Sequence, residues 1–482
     1  MIGKKQQTEP KLFYHGISLD RRIGKDHPLR KIKNTINFDF VREQVASLYG
    51  KTGNPSVDPV VILKLIFLLF YENIKSERAL MAQLPLRLDW LWFCGYDLDD
   101  STPNHSVLSK ARRRWGTDVF SQFFQNILEQ CIEAGLVDGQ TIHLDSSMID
   151  ADASKDKLQV QLRVVAGDLY EQLEENSEDK ELGKKVSPVD PDARLAKKYN
   201  QTTLGYKDHR TVDDKHGIIT STTTTPANVR DNQVLPTAIE AHESNTSQKV
   251  KTAAADKIYG TLDNYEYLHD KGCKACISHQ KYGVKADDKF SHEHFIYDKQ
   301  QDCFICPAGK RLELYDHQGP RDGTDDWRYR ASRKTCETCQ YFSQCVSSKT
   351  HGRQVVRNIR AEYFQWADEC LTAGERKRLM ARRKTKIEGS FADAANNHGF
   401  KRARWRGLAK VEIQNLVIAA IQNLRKLVRA VTSLKPAKVS KLFVLERKIA
   451  VLEGILLNIP AKFVFWVVLS FMKEFLTCER AK

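Results

Sequence analysis

Apolar positions crowd the first third of the chain and fall at helical spacing. Val60 to Tyr71 is apolar almost all round, which predicts a buried helix; Ser56-Val-Asp-Pro-Val leads into it, with Pro59 suited to a first helical turn. Ser76 caps a second predicted helix running to Leu86. After a turn over Asp97–Pro103, Ser101 or Thr102 opens a third, which ends in Lys110-Ala-Arg-Arg-Arg-Trp115. A short helix, a turn and a helix with basic residues fit a helix-turn-helix and equally an ordinary bundle with a solvated basic face. Asp118 to Ala134 predicts a further amphipathic helix, closed by Gly135.

The pattern then changes. Gln140 to Leu144 is a short β run that delivers Asp145 at its end. Residues 154–203 are charged and low in aromatics, with Glu174-Glu-Asn-Ser-Glu-Asp-Lys-Glu at their centre, and read as a surface insertion. Tyr206–Val212 and Ile218–Thr225 flank an Asp-Asp-Lys-His-Gly turn, which predicts a hairpin. A helix over Val234–His242, a second helix and a short strand then lead to Asp256. Beyond a Cys-rich stretch, Ala361–Leu379, Thr385–Ala395 and Val411–Val431 read as helices. The expected class is α/β: a mixed sheet flanked by helices, after an all-α N-terminal domain. The expected divisions are 1–136 helical and DNA-binding, 137–284 core, 285–350 Cys-rich insert, 351–432 second part of the core with the Glu388 helix, and 433–482 a helical tail.

The formal charge of +15 over 482 residues, in clusters rather than spread evenly, points to a polyanionic partner, most simply nucleic acid. Met1-Ile-Gly-Lys-Lys-Gln-Gln shows no signal peptide, and Phe463–Met472 is too short to span a bilayer, so an intracellular protein with reduced cysteines is expected.

Seven of the eleven cysteines fall between 273 and 345. Cys303/Cys306 and Cys336/Cys339 are Cys-x-x-Cys pairs, with Cys345 close behind, the pattern of knuckles that hold structural zinc. Cys273/Cys276 read as buried strand residues. Three widely separated carboxylates, Asp145, Asp256 and Glu388, suit a hard divalent cation. Asp150, Asp152 and Asp231 are rivals. Each acid could also be an ordinary capping or surface charge. Arg382, Arg383 and Lys384 flank Glu388, and Lys401, Arg402, Arg404 and Arg406 interleave with Phe400 and Trp405, a composition suited to backbone phosphates and a stacking face.

At Gly205-Tyr-Lys-Asp-His-Arg-Thr-Val-Asp, Thr225-Pro-Ala-Asn-Val-Arg-Asp231, Asp256 with Asn264-Tyr-Glu-Tyr-Leu, and Ile387-Glu-Gly-Ser-Phe-Ala-Asp with Asn397-His-Gly-Phe, the chain resembles the DDE transposases of bacterial insertion sequences, in the subgroup with a zinc-ribbon-like insert. The resemblance implies a ribonuclease-H-like core, Asp145, Asp256 and Glu388 as the triad for Mg²⁺ or Mn²⁺, and Cys306, Cys336, Cys339 and Cys345 as zinc ligands, with Cys303 as the alternative. It implies strand cleavage and strand transfer of double-stranded DNA by a homodimer in the bacterial cytoplasm, with Arg112, Arg113 and Arg114 on the element ends. Three positions depart from the family: Ala395 stands seven after Glu388 where a basic residue is usual, Ile258 two after Asp256 where Gly is usual, and Lys384 four before Glu388 where Arg is usual. An inactivated or domesticated copy, acting as a zinc-containing DNA-binding protein, is the competing expectation, and a metal-dependent nuclease without strand transfer is another.

Overall fold

The computed structural model describes residues 18–50, 52, 54–160, 185–198, 201–279, 290, 294–321, 324–346 and 351–433. Phe13, Tyr14, the centre of the charged insertion and the tail from 434 onward lie outside them. The chain divides into two compact units, Met1–Leu424 and Arg425–Lys482. The second is described only over Arg425–Ser433, the last turns of a helix. The first is a mixed α/β unit.

It opens with eight helices: α1 (Leu19–Arg22), α2 (Pro28–Thr35), α3 (Phe40–Val45), α4 (Pro59–Tyr71), α5 (Glu77–Gln83), α6 (Leu88–Cys94), α7 (Ser106–Trp115) and α8 (Asp118–Glu133). Asp58 caps α4 by accepting from the Val60 amide at 2.9 Å, and Pro59 sits where no amide partner is needed. Every residue from Pro59 to Phe70 in α4 except Lys64 is buried, so the helix is the axis of the bundle. Ser76 caps α5 through the Ala79 amide. The helix expected from Ser101 starts at Ser106, because Pro103 keeps the residue before it out of the helical region and Asn104 takes the Ser106 amide.

Two arginines expected to meet DNA are instead bonded within the protein, one buried and one half-buried. Arg112 is buried, pairs with Glu77, and lies 3.8 Å over the Trp405 ring. Burial lowers its pKa against the pull of Glu77. Arg404 donates to the Leu69 and Ile74 carbonyls at 2.8 and 2.6 Å and to the Asn73 side chain at 2.9 Å, which closes the last turn of α4. Its pKa falls to about 10 through burial. Phe400 and Trp405 are also buried, Trp405 edge-on to Phe70, so neither offers a stacking face. Arg113 and Arg114 are exposed.

The main sheet is built from β1 (Thr141–Asp150), β4 (Arg194–Lys198), β5 (Gln201–Asp213), β6 (Ile219–Pro226), β7 (Thr252–Ala254) and β8 (Lys274–Cys276); a small β2 (Gln159–Val160) and β3 (Lys185–Val186) pair separately. β5 pairs antiparallel with β1, β4 and β6, and β7 and β8 run parallel to β1. β1 does not end at Asp145. It continues to Asp150 because β5 is long enough to pair with it from Ile142↔Asp213 to Asp150↔Gly205. Gly205 is required at that crossing: a Cβ there would lie 2.0 Å from the Ile149 carbonyl oxygen. The stretch from 185 to 203 is less a free insertion than an arm of this sheet, since β4 pairs with β5 and buried Asp190 accepts from the Tyr206 hydroxyl and the Gly407 amide.

α9 (Leu235–Thr246) runs four residues past its expected end, so no second helix precedes β7; Ser247 in the left-handed region stops it. α10 (Leu262–Asp270) follows. Buried Cys273 precedes β8 and buried Cys276 ends it, and burial raises their thiols to about 12 and about 11. A second antiparallel sheet holds β9 (Ile296–Asp298), β10 (Cys303–Ile305), β11 (Arg311–Arg321), β12 (Thr324–Arg330) and β13 (Gln354–Asn358) around Phe304, Leu312 and Tyr329. Two short helices, α11 (Arg333–Glu337) and α12 (Phe342–Cys345), lie between β12 and β13. The helix expected from Ala361 to Leu379 is two, α13 (Glu362–Glu369) and α14 (Ala373–Arg383), split where Thr372 and Glu375 form a capping box. A π turn over Lys384–Glu388, α15 (Gly389–His398) and α16 (Leu408–Ser433) complete the described chain.

Arg112→Ala should cost about 3 kcal/mol, because it strands Glu77 and empties the space under Trp405; denaturant melts would show it, and a melt unchanged from wild type would return Arg112 to the surface. Two buried histidines set an acid limit. His242 donates from Nε2 to the Gly139 carbonyl at 3.0 Å, so Nδ1 is the bare nitrogen that accepts from Thr220, and a second proton would face a hydroxyl. Burial lowers its pKa and takes that of His209 down to about 4. The folded state therefore binds fewer protons than the unfolded one. Stability should be full above pH ~6.5, the ordinary histidine value, and decline as pH falls toward 4. Melting midpoints measured from pH 7 to 4 check this, and a flat profile over that range would contradict it.

Candidate metal and DNA site

Asp145 stands in the middle of β1, a quarter exposed. Its Oδ1 accepts from the Ser146 amide at 2.8 Å and its Oδ2 from Arg383 Nη1 at 2.9 Å. Burial raises its pKa, Ser146 and Arg383 oppose the rise, and the charge of Asp256 adds to it. Asp256 lies two residues beyond β7 and caps a short turn over Lys257–Tyr259 by accepting from the Lys257 amide at 2.6 Å. The parallel register matches His143 to Ala254, so Asp145 and Asp256 each stand two residues further along neighbouring strands.

A third acid joins them. Asp231 opens a 3-10 turn and accepts from Lys207 of β5 at 2.8 Å. Buried Tyr259 has its pKa raised by burial first, then by Asp231, Asp145 and Asp256, so one phenol has all three carboxylates as neighbours. Asn264 ties the two turns together, donating to the Asn232 and Tyr259 carbonyls at 3.0 and 2.9 Å. The other rivals are elsewhere: Asp150 bridges the backbone of Lys401 and Ala403, and Asp152 pairs with Arg402 and Arg406, each at 3.3 Å.

Glu388 ends the π turn and is exposed, while Ile387 beside it is fully buried and anchors the turn. Single π turns within a helix place one extra residue and recur at functional sites. This one packs against β1 and β5. Arg382 and Arg383 lead into it and bond to two acids of the sheet region, Asp214 at 2.6 Å and Asp145. Burial raises the Asp214 pKa, but its bonds to His143 and Arg382 outweigh that and hold it low. Lys384 is exposed, Ile258 is 42% exposed, and Ala395 is half-buried.

Lys401 donates to Ser147 Oγ at 2.7 Å. Ser147 is two residues from Asp145 on the same strand and therefore on the same face. The segment carrying Lys401 and Arg402 is pinned beside β1 by backbone bonds from Asp150 to Lys401 and from Ala403 to Asp150.

In the second sheet, Cys306, Cys336, Cys339 and Cys345 line one small cavity, with Arg353 among the other lining residues. The Lys310 amide donates to Cys306 Sγ at 3.3 Å and the Arg353 amide to Cys336 Sγ at 3.5 Å, as backbone amides do around thiolates. Cys345 has its pKa raised by burial, against Arg353, with Cys336, Cys306 and Cys339 adding to the rise. Cys303 is buried in β10 and does not line this cavity. None of the ten described cysteines is in a disulfide. Among the described residues no three His, Cys, Asp or Glu side chains stand close enough to share one cation. No helix among the described residues is long and apolar enough to cross a membrane.

Two functional features escaped the sequence reading. Asp231 ranked behind Asp145, though its Lys207 partner lies in the quoted Gly205–Asp213 stretch. The pair Asp208 and Arg210, fully buried on β5, was signalled by opposite charges two apart in a strand, which places both on one face.

No curated protein matches the chain. Among solved structures, a piggyBac transposase in a synaptic complex with hairpin DNA, determined by cryo-electron microscopy, is 9% identical, with 87% of this chain and 81% of that one covered at a TM-score of 0.30, too low to bear on the fold. Two family models match directly: "Transposase domain (DUF772)" over residues 17–114, the helical bundle from its start into α7, and "Transposase DDE domain" over residues 305–428, from β10 through the π turn and α15 into α16. Both matched stretches are transposase domains, one near each end of the described chain, and together they support a transposase of the DDE type.

Proposed function

We propose that the chain cuts and rejoins double-stranded DNA by in-line phosphoryl transfer at a site made by Asp145, Asp256 and Glu388. The observation that carries this is the matched register of β1 and β7, which sets Asp145 beside Asp256, with the Glu388 turn packed on β1. The strand order supports a ribonuclease-H-like core: β6, β5 and β1 antiparallel, then β7 and β8 parallel.

The donors fit a hard divalent ion. They are carboxylate oxygens from separate elements, and Asp145 already takes the positive charge of Arg383. Mg²⁺ or Mn²⁺ held there would activate a water or a DNA 3′-hydroxyl and stabilise the leaving oxygen. The protein's own groups do the rest. Lys401, on the Asp145 face of the strand, supplies a cation for a phosphate near the acids, where Ala395 supplies none. Exposed Arg402 and Arg406 extend that path, as do Arg383 and Lys384 on the Glu388 side. Tyr259 stays a neutral phenol among acids, so it can donate but does not attack. Arg113 and Arg114 are the remaining basic side chains of α7 for the element ends. Two ends brought together call for a homodimer on DNA. Cys306, Cys336, Cys339 and Cys345 would hold one structural zinc, which their thiolate donors and shared cavity suit.

Asp145→Asn and Glu388→Gln should each reduce metal-dependent cleavage of terminal-repeat DNA to background while gel-shift binding persists; cleavage at the wild-type rate in either ends the triad. Lys401→Ala should weaken DNA binding across sequences and flatten its salt dependence by about one unit of slope. An unchanged slope would remove Lys401 from the DNA path. Cys339→Ala should lose about one zinc per chain by metal analysis of purified protein, and wild-type protein without zinc would refute that site.

A further inference from the structure

A fully buried and heavily bonded side chain of the main sheet belongs to a residue outside the triad. Arg210 is 1% exposed. It lies on β5 directly opposite Asp145 of β1, and opposed residues on an antiparallel pair share a face of the sheet. From that face its guanidinium reaches three polar groups and two aromatic rings. Nε donates to Asp208 at 2.7 Å, and Nη1 donates to Ser390 Oγ at 2.9 Å and to Gln422 Oε1 at 2.8 Å. Its plane lies 4.8 Å from both the Phe391 and Phe400 rings. Asp208 also accepts from Thr222 of β6, so the charge is anchored to two strands. Gln422 of α16 completes the circuit, donating to the Ser390 carbonyl at 2.8 Å and to Asp393 at 2.7 Å.

Ser390 and Phe391 belong to the first turn of α15, and Ser390 is two residues from Glu388. A widened π turn precedes them, so the hydrogen-bond ladder of the helix is locally altered just where the acid must be held. Directional bonds to the next turn compensate. We propose that Arg210 is a positioning residue for Glu388: it fixes the first turn of α15 over the strand that carries Asp145, and so sets where the Glu388 carboxylate sits. An apolar side chain would fill the same space without orienting anything, and Lys would keep the charge but lose the planar fork that serves Asp208, Ser390 and Gln422 together.

This inference rests on Glu388 being a member of the triad, and the experiment separates the two. Full-length wild type, Ser390→Ala, Arg210→Lys and Glu388→Gln are titrated with Mn²⁺, free Mn²⁺ being read by electron paramagnetic resonance, with thermal melts in parallel. Ser390→Ala removes a single hydroxyl, so it should melt close to wild type yet bind Mn²⁺ about tenfold more weakly, the usual scale for groups that orient a ligand. Arg210→Lys should show the same shift with a lower melting midpoint. If both bind Mn²⁺ as tightly as wild type while Glu388→Gln has lost affinity, Arg210 is a core residue only and the proposal falls. If Glu388→Gln itself binds and cleaves as wild type, the triad reading fails instead. Should Arg210→Lys not fold, Ser390→Ala decides alone.

Discussion

The buried pair of Asp208 and Arg210 is the constraint on which the catalytic unit turns. Neither side chain has access to water, and the pair is held by groups from β5, β6, α15 and α16 together. Breaking such a pair strands a charge in the core and costs about 3–5 kcal/mol. The elements are therefore held to one arrangement: strands and helices that merely packed by apolar contact could slide, whereas these must meet at a guanidinium. Because Arg210 faces the same side as Asp145, the arrangement that satisfies the pair also holds the first turn of α15 against that face of the sheet.

A second set of polar staples joins the helical bundle to this unit. Arg404 closes the C-terminal end of α4 from a segment that is itself bonded along β1, and Arg112 of α7 lies under Trp405 of the same segment. The stretch from 398 to 406 thus serves three neighbours at once. Its alternate basic residues divide by direction: Arg404 points inward to carbonyls, while Lys401, Arg402 and Arg406 remain along the side of β1. A run of similar residues in sequence is split by the geometry of one short extended segment.

What the sequence made legible follows from local physics. The buried α4 helix, the cap at Ser76 and the β5–β6 hairpin all depend on neighbours within a few residues. What it hid depends on distant ones. The continuation of β1 past Asp145 needs β5 as partner, and the fate of Arg112 and Arg404 depends on Glu77, Trp405 and the end of α4, none of which a basic cluster announces. Spacing alone favoured Cys303 over Cys345, but β10 turns Cys303 into the core and leaves Cys306 at the cavity. The resemblance to known transposases pointed to the acids and the four cysteines; the alternation of Asp208 and Arg210 within a strand was a purely physical signal that went unread.

The span of the Arg210 contacts has a consequence for synthesis on the ribosome. Its partners Ser390 and Gln422 lie 180 and 212 residues downstream. At roughly 5–20 residues per second, some ten to forty seconds separate the emergence of Arg210 from that of Gln422. During that interval β5 carries a charge whose partners on α15 and α16 have not yet been made. A chain that stops short of Gln422 therefore lacks the groups that bury Arg210: the heart of this sheet is completed only when the message has been read almost to its end.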